Sequence, residues 1–323
     1  MTMQALLAGI QDDLTKVEEE ILRHLNTEIP LLNEVANYIL ESGGKRLRPA
    51  LSILSAHMFQ FPGGSIHQAA AAIEYLHTAT LLHDDVVDDA DTRRARKAAR
   101  MIWGNQASVL VGDYLLATAF RSLTLLGNQG VLETISETTS MMAKGEILQL
   151  IRQFDTATEQ EYLDIIIHKT ACLFGASAKV GAAYGNATPE QQKALYDFGN
   201  DIGIAFQIVD DALDYVEDRE KVGKPLGVDL KERKVTLPLS RLLQVASPKE
   251  KEQLLEMLHG DEISDEDVHE VVELMKNHEI LPYTLQEARK YVAQGKKHLE
   301  LLPECEQREI LAAMADFVVA REF

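Results

Sequence analysis

Apolar residues recur at three- and four-residue spacing through almost the whole chain, as in QALLAGIQDDLTKVEEEILRHL, NQASVLVGDYLLATAFRSLTLL and VLETISETTSMMAKGEILQLI. A period near 3.6 puts such residues on one face of a helix, whereas a half-buried strand needs strict alternation. A pattern this sustained leaves room for little besides helices packed on one another, and it predicts an all-α chain. Breaks fall at Gly43-Gly44, FPGGS (61–65), Gly127 to Gly130, GNATPE (185–190), GKPLGVD (223–229) and around Pro248, Pro282 and Pro303. These are turns rather than linkers, and no repeat of fixed period is visible. With 323 residues, 46% of them hydrophobic, the chain can bury a sizeable core. Length alone suggests about two domains of ~150 residues. The motifs described next lie in both halves and need one another, so residues 1–323 are expected to form a single helical domain.

One local theme occurs twice: HDDVVDD (83–89) and VDDALDY (209–215) each place Asp-Asp-x-x-Asp inside an apolar helical run. Residues four apart on a helix share a face about 6 Å apart along the axis. Asp84 and Asp88 therefore project together, as do Asp210 and Asp214. The plainer reading of an acidic run is a solvated face. The flanks ATLLHDD and IGIAFQIVDDALDY argue against it, because carboxylates on core helices cost several kcal/mol apiece unless a cation neutralises them. Oxygen-only ligands suit Mg2+, a hard ion that takes one or two carboxylates and fills its shell with water and substrate phosphate. That points to a phosphorylated ligand. Neither a Gly-x-x-x-x-Gly-Lys-Ser/Thr loop nor a Gly-x-Gly-x-x-Gly fingerprint is present, so metal and basic side chains must grip the phosphate. GGKRLRP (43–49) offers Lys45, Arg46 and Arg48 after a glycine pair; Arg93 and Arg94 follow the first aspartate motif, and Lys169, Lys224 and Lys234 sit near helix ends or turns. Singly, each is an ordinary surface cation. Together with two acidic motifs they form a set.

The formal net charge of −19 argues against nucleic acid or an anionic membrane surface as a partner, since both are bound through cationic surface. Cys172 and Cys305 have no spacing suited to metal or paired redox chemistry, which suits a reducing interior. The N-terminal segment is acidic and amphipathic, and no stretch of about 18 uncharged apolar residues occurs. A cytoplasmic protein without a membrane span is expected.

These segments resemble the trans-polyprenyl diphosphate synthase family, most of all its long-chain, octaprenyl-like bacterial branch. The similarity covers nearly the whole chain, through GGKRLRP, LLHDDVVDDADTRR, GNQASVLVGDYLL, KGEILQL, KTACLFGASA, AFQIVDDALDY and GKPLGVDLKERKVTLP. It implies the isoprenoid synthase type I fold: a single-domain helical bundle around a deep central cavity, assembled as a homodimer, with the aspartate motifs facing each other over about three Mg2+ ions per active site. It implies head-to-tail condensation of isopentenyl diphosphate with an allylic prenyl diphosphate, and a long-chain product whose usual destination is a quinone side chain. Metal would be held by Asp84, Asp88, Asp210 and Asp214. Arg93, Lys169 and Lys224 would help stabilise the departing diphosphate. Isopentenyl diphosphate would be held by Gly44, Lys45, Arg48, His77 and Arg94, with Lys234 a further substrate contact. Thr170 and Gln207 match positions whose oxygens face the carbocation and the leaving group. Released diphosphate would take the proton, so no side-chain base is implied. The family leaves room for peripheral membrane contact at product release.

His77 lies seven residues before Asp84, two turns away on the same face, about 10 Å along the axis. A lone His on an apolar helix is more often a core residue, and only the resemblance gives it a diphosphate to meet. The small Ala79 and Thr80, just before the first motif, match positions that line the wall of the product tunnel; small groups there leave it open to a long chain. The chain departs from the family at Ala95, Ala98 and Arg100, where a Gly and a small hydroxyl residue are usual, and at Lys144 and Arg233, where Glu and Gly are common. These changes bear on loop closure and rate, not on the ligands. Four rivals stand beside the reading. A terpene cyclase would not need Lys45, Arg48 and His77, and a noncatalytic partner subunit should have lost aspartates. An acidic scaffold would not explain the cations. A farnesyl or geranylgeranyl synthase would differ only in product length.

Overall fold

The computed structural model describes residues 2–23, 25, 27–41, 46–59, 63–93, 96–152, 158–216 and 226–320. In chain order the helices are α1 (Met3–Leu6), α2 (Gln11–Arg23), α3 (Pro30–Glu41), α4 (Leu47–His57), α5 (Ser65–Val87), α6 (Ala99–Leu126), α7 (Gln129–Ile151), α8 (Glu159–Ile166), α9 (Cys172–Tyr184) and α10 (Pro189–Leu213). After them come α11 (Val228–Lys231), α12 (Leu237–Val245), α13 (Pro248–His259), α14 (Asp265–Asn277), α15 (Ile280–Leu299) and α16 (Glu306–Val319). A π-helical turn, Ile167–Ala171, joins α8 to α9. The all-α reading holds, with one strand pairing among the described residues: β1 (Thr92–Arg93) runs antiparallel to β2 (Arg96–Lys97), Thr92 opposite Lys97. Arg96 stacks over the Tyr38 ring at 4.1 Å, and the Tyr38 hydroxyl donates to the Lys97 carbonyl at 2.8 Å, so α3 holds this ribbon.

Two compact units divide the chain: Met1–Thr139, Leu173–Gly199 and Lys297–Met314 make the first, and Ser140–Cys172, Asn200–Lys296 and Ala315–Phe323 the second. Their boundaries fall inside α7, α9, α10, α15 and α16 rather than at turns, which is why the pattern of breaks gave no sign of them.

In the first unit α5 is buried along most of its length, with Ile66, Ile73, Tyr75, Leu76, Ala79 and Leu82 all at or below 1% exposure. Its Ala69-Ala70-Ala71-Ala72 run keeps the surface low, so α2, α4 and α6 pack close around it. Gly104 interrupts α6 with φ 84° and ψ 163°, a left-handed excursion that a Cβ would strain. The core of the second unit gathers Tyr215, Leu230, Leu239, Leu242, Leu254 and Met275 among others. Capping boxes at Thr158/Glu161, Ser247/Glu250 and Ser264/Asp267 set the starts of α8, α13 and α14, each satisfying backbone donors that a helix start leaves open.

Candidate active site

In the first unit, Asp84 and Asp85 lie in the last turn of α5 and Asp88 directly follows it. The Asp88 N–H donates to the Asp84 carbonyl at 2.8 Å, so Asp88 keeps helical register and stands on the Asp84 face. Both are half-buried. A helix C-terminus carries partial negative charge, and gathering carboxylates there is unfavourable without a cation. Asp85, Asp89 and Asp91 each meet an arginine. Asp85 is fully buried and accepts a hydrogen bond from Arg93 Nε; burial pushes its carboxyl up and the Arg93 guanidinium pulls it back. Asp89 terminates the helix in the left-handed region, φ 49°, while the Ala90 N–H reaches back to the Asp85 carbonyl at 3.0 Å, a Schellman-type ending. Arg100 then locks the exit: it pairs with Asp89 and Asp91 at 3.0 Å each and donates to the Ala90 carbonyl at 2.7 Å. The basic residue that departs from the family pattern is thus a clamp on the segment after the motif.

Arg48, on α4, is half-buried and stacks over the Phe174 ring at 4.5 Å. Its neighbour Arg46 is engaged otherwise, by buried Glu74 at 2.9 Å. His77 is half-buried on α5, and the Thr80 hydroxyl donates to its carbonyl at 2.8 Å. Ala79 is packed away at 1% exposure, while Thr80 is half-buried. Gly44, Lys45, Arg94 and Lys224, all expected at substrate, lie outside the described residues, as does Ala95.

The second unit assembles a separate set. Lys169 and Thr170 sit on the π turn, where the Cys172 N–H reaches the Ile167 carbonyl five residues back; such widened turns are frequent at functional sites. Lys169 pairs with Glu146 of α7 at 2.6 Å. The approach of α7 requires Gly145, because a Cβ there would lie 2.6 Å from the Lys169 nitrogen. The Thr170 hydroxyl donates to Gln207 Oε1 at 3.0 Å, Gln207 Nε2 donates to Asp211 Oδ1 at 2.7 Å, and the Tyr162 hydroxyl donates to Asp211 Oδ2 at 2.6 Å. Burial and the neighbouring Asp229 and Asp210 charges push Asp211 well above the usual carboxylate range, against its hydrogen bonds from Tyr162 and Gln207. Burial likewise raises Tyr162, so it stays a neutral donor.

Asp210 is half-buried. Asp214, expected as the second ligand of this motif, is 5% exposed and accepts from the Val228 N–H at 3.2 Å and the Asp229 N–H at 2.9 Å. Its carboxylate caps the N-terminus of α11, where backbone donors have no helical partner. Lys234 pairs with Glu232 at 2.6 Å. Arg233, where the family commonly has Gly, adopts φ 55°, the conformation that makes Gly the usual choice. Here the side chain donates to the Leu258 and Asp261 carbonyls at 3.0 and 3.2 Å, and these bonds offset the strain. Lys144 is exposed.

Sequence reasoning passed over Asp85, Glu146, Tyr162, Asp211 and Asp229. Asp85 and Asp211 were visible as the second letters of the two doublets. Residues one apart on a helix diverge by about 100°, which is signal enough that they face elsewhere than Asp84 and Asp210. Tyr162 and Glu146 meet their partners only through the fold.

The sequence profile of the polyprenyl synthetase family matches residues 29–275. An octaprenyl diphosphate synthase of Escherichia coli is 40% identical over 326 aligned positions, covering 100% of both chains. Among solved structures, a decaprenyl diphosphate synthase from Rhodobacter capsulatus superposes with a TM-score of 0.94 at 39% identity over 99% of each chain. A polyprenyl synthase from Caulobacter crescentus, complexed with calcium and isoprenyl diphosphate, gives 0.95 at 36% identity, covering 99% of this chain and 98% of that one.

Proposed function

The chain belongs to the polyprenyl synthetase family, and we propose on that footing that it is a prenyltransferase joining isopentenyl diphosphate head to tail to an allylic trans-prenyl diphosphate. The product is a long, octaprenyl-like diphosphate destined for a quinone side chain. The observation that carries this reading is this chain's own pair of aspartate motifs in a sequence that aligns end to end with an octaprenyl diphosphate synthase.

The residues fit Mg2+. Asp84 and Asp88 place hard oxygens on one face at the negative end of α5, where only a cation makes their proximity favourable. Among the described residues no group of three or more His, Cys, Asp or Glu forms a ready-made metal cage; Mg2+ needs none, since substrate phosphates complete its shell. Asp84, Asp88 and Asp210 are the proposed ligands, about three ions being shared with diphosphate as in the family. When bound, the metal supplies charge neutralisation for a leaving diphosphate. Lys169 and Arg93, with Lys224, add donors to the same anion. The allylic C–O bond breaks and its electron pair leaves with diphosphate. The isopentenyl π pair then forms the new C–C bond to the cation. Loss of one proton to the released diphosphate returns the C–H pair as the new double bond. Thr170 and Gln207 present oxygen to the developing positive charge, and Arg48, His77, Lys45, Gly44 and Arg94 hold isopentenyl diphosphate.

The purified chain, given farnesyl diphosphate, isopentenyl diphosphate and Mg2+, is expected to yield long-chain products by chromatography, to stop in EDTA and to recover with Mg2+. Full turnover without metal, or a cyclised hydrocarbon, would overturn the reading. Arg48→Ala is expected to raise KM for isopentenyl diphosphate by about 10- to 100-fold with little change in kcat, the size of a charge-assisted bond made throughout the reaction. An unchanged KM removes Arg48 from that site.

A homodimer is proposed through α6. Its outer face exposes Met101, Ile102, Val109, Leu110 and Leu125, from 37% to 72%, while its inner face packs on α3 and α5. By length and composition α6 also passes as a membrane span. A second copy is the better occupant, because Asp113 and Gln106 on this helix would be costly in hydrocarbon. A cytoplasmic location follows from the same reading, with any membrane contact peripheral.

A further inference from the structure

We propose that Tyr162 and Asp211 are positioning residues that fix which end of the Gln207 amide faces Thr170, and through it the polarity presented to the allylic cation. The inference rests on the prenyl-transfer reading above. A Gln amide fits its space in two orientations that differ only in whether oxygen or NH2 points a given way, so neighbours must choose. Asp211 stands one turn beyond Gln207 on α10 and accepts from Nε2 at 2.7 Å. Both Asp211 oxygens receive donors, one from the Tyr162 hydroxyl and one from Gln207, so it is the NH2 end of the amide that faces Asp211. Oε1 is thereby left to Thr170, whose hydroxyl donates to it at 3.0 Å. The only proton on Thr170 Oγ1 is then committed, and what the oxygen has left to offer is lone pairs. Reversing the amide would make Thr170 the acceptor and free its O–H, so that a positive end would face a cation.

Tyr162 keeps this arrangement from turning. Its hydroxyl donates to the other Asp211 oxygen at 2.6 Å, and the two groups are 0% and 5% exposed. Neither is open to substrate, so any effect on turnover passes through Gln207. The π turn explains how one helical strand reaches both ends of the relay. Tyr162 and Thr170 are eight residues apart, which on a regular α-helix overshoots two turns; widening one turn by a residue brings them back towards a shared face.

The test uses full-length Tyr162→Phe, Gln207→Leu, the double variant and Asp211→Asn, each checked for folding by circular dichroism, with farnesyl diphosphate, isopentenyl diphosphate and Mg2+. Tyr162→Phe is expected to lower kcat about 5- to 20-fold while leaving both KM values within about twofold. In the Gln207→Leu background the same change should no longer matter, because the amide it steadies is gone. Asp211→Asn is isosteric, but its one carbonyl must serve Tyr162 and its NH2 then turns Gln207 round. It should cost about 30- to 100-fold in kcat without moving the Mg2+ activation curve. Independent, multiplying losses in the double variant, a Tyr162→Phe enzyme with unaltered kcat, or a shifted Mg2+ curve in Asp211→Asn would each overturn the relay. A wild-type chain that forms no polyprenyl diphosphate would instead overturn the prenyl-transfer reading.

Discussion

Asp84→Ala and Asp210→Ala are each expected to lower turnover by about a thousandfold or more, read as diphosphate release under saturating substrates, while the melting temperature stays level or rises. The size follows from the several kcal/mol of transition-state charge that metal neutralises, at a tenfold rate change for each 1.36 kcal/mol. Stability should change little, because Asp84 is only half-buried and stands at the negative end of α5, where the helix field disfavours a carboxylate. Asp214→Ala should behave differently. Its oxygens satisfy the Val228 and Asp229 N–H groups, so their loss should cost about 1–3 kcal/mol of stability and leave the Mg2+ requirement close to wild type. If Asp214→Ala shifted the Mg2+ curve as far as Asp210→Ala, the capping assignment would be wrong and a four-carboxylate ligand set would return. Near-wild-type turnover in Asp84→Ala or Asp210→Ala would remove the metal site itself.

The contrast between Asp210 and Asp214 marks the limit of what spacing reveals. Helical periodicity made the all-α architecture legible, because nearly every element buries one stripe, and it paired Asp84 with Asp88 correctly on one face. The same rule paired Asp210 with Asp214. It could not register that α11 starts beside Asp214 and brings backbone donors to its carboxylate. Likewise Arg46 and Arg48 read as equivalent in GGKRLRP; buried Glu74 on α5 takes one and Phe174 on α9 carries the other, choices made by residues distant in sequence. The two compact units were illegible for a related reason: their boundaries cut through regular helices, where neither glycine nor proline marks a change.

Product length gives the last large effect. Thr80 lies four residues before Asp84, on the same face of α5 and about 6 Å further along the axis. Its hydroxyl is taken up by the His77 carbonyl, so a methyl group is what it has left to offer a tunnel wall. Each buried methylene of a growing chain gains about 0.8 kcal/mol, and extension should continue until something blocks it. Ala79→Tyr and Thr80→Phe are therefore both expected to move the products from long chains towards farnesyl or geranylgeranyl, with the first condensation intact. The two should differ in cost. Ala79 is at 1% exposure, and forcing a ring into filled space strains the fold by about 1–3 kcal/mol, so Ala79→Tyr should also lower the melting temperature. Half-buried Thr80 should accept Phe with a smaller loss. Chromatography of dephosphorylated products decides each position: an unshifted long-chain distribution from a folded, active variant removes that residue from the wall. A shift at 80 without one at 79 would place the tunnel on the Asp84 face of α5 and leave Ala79 as the small core residue its burial suggests.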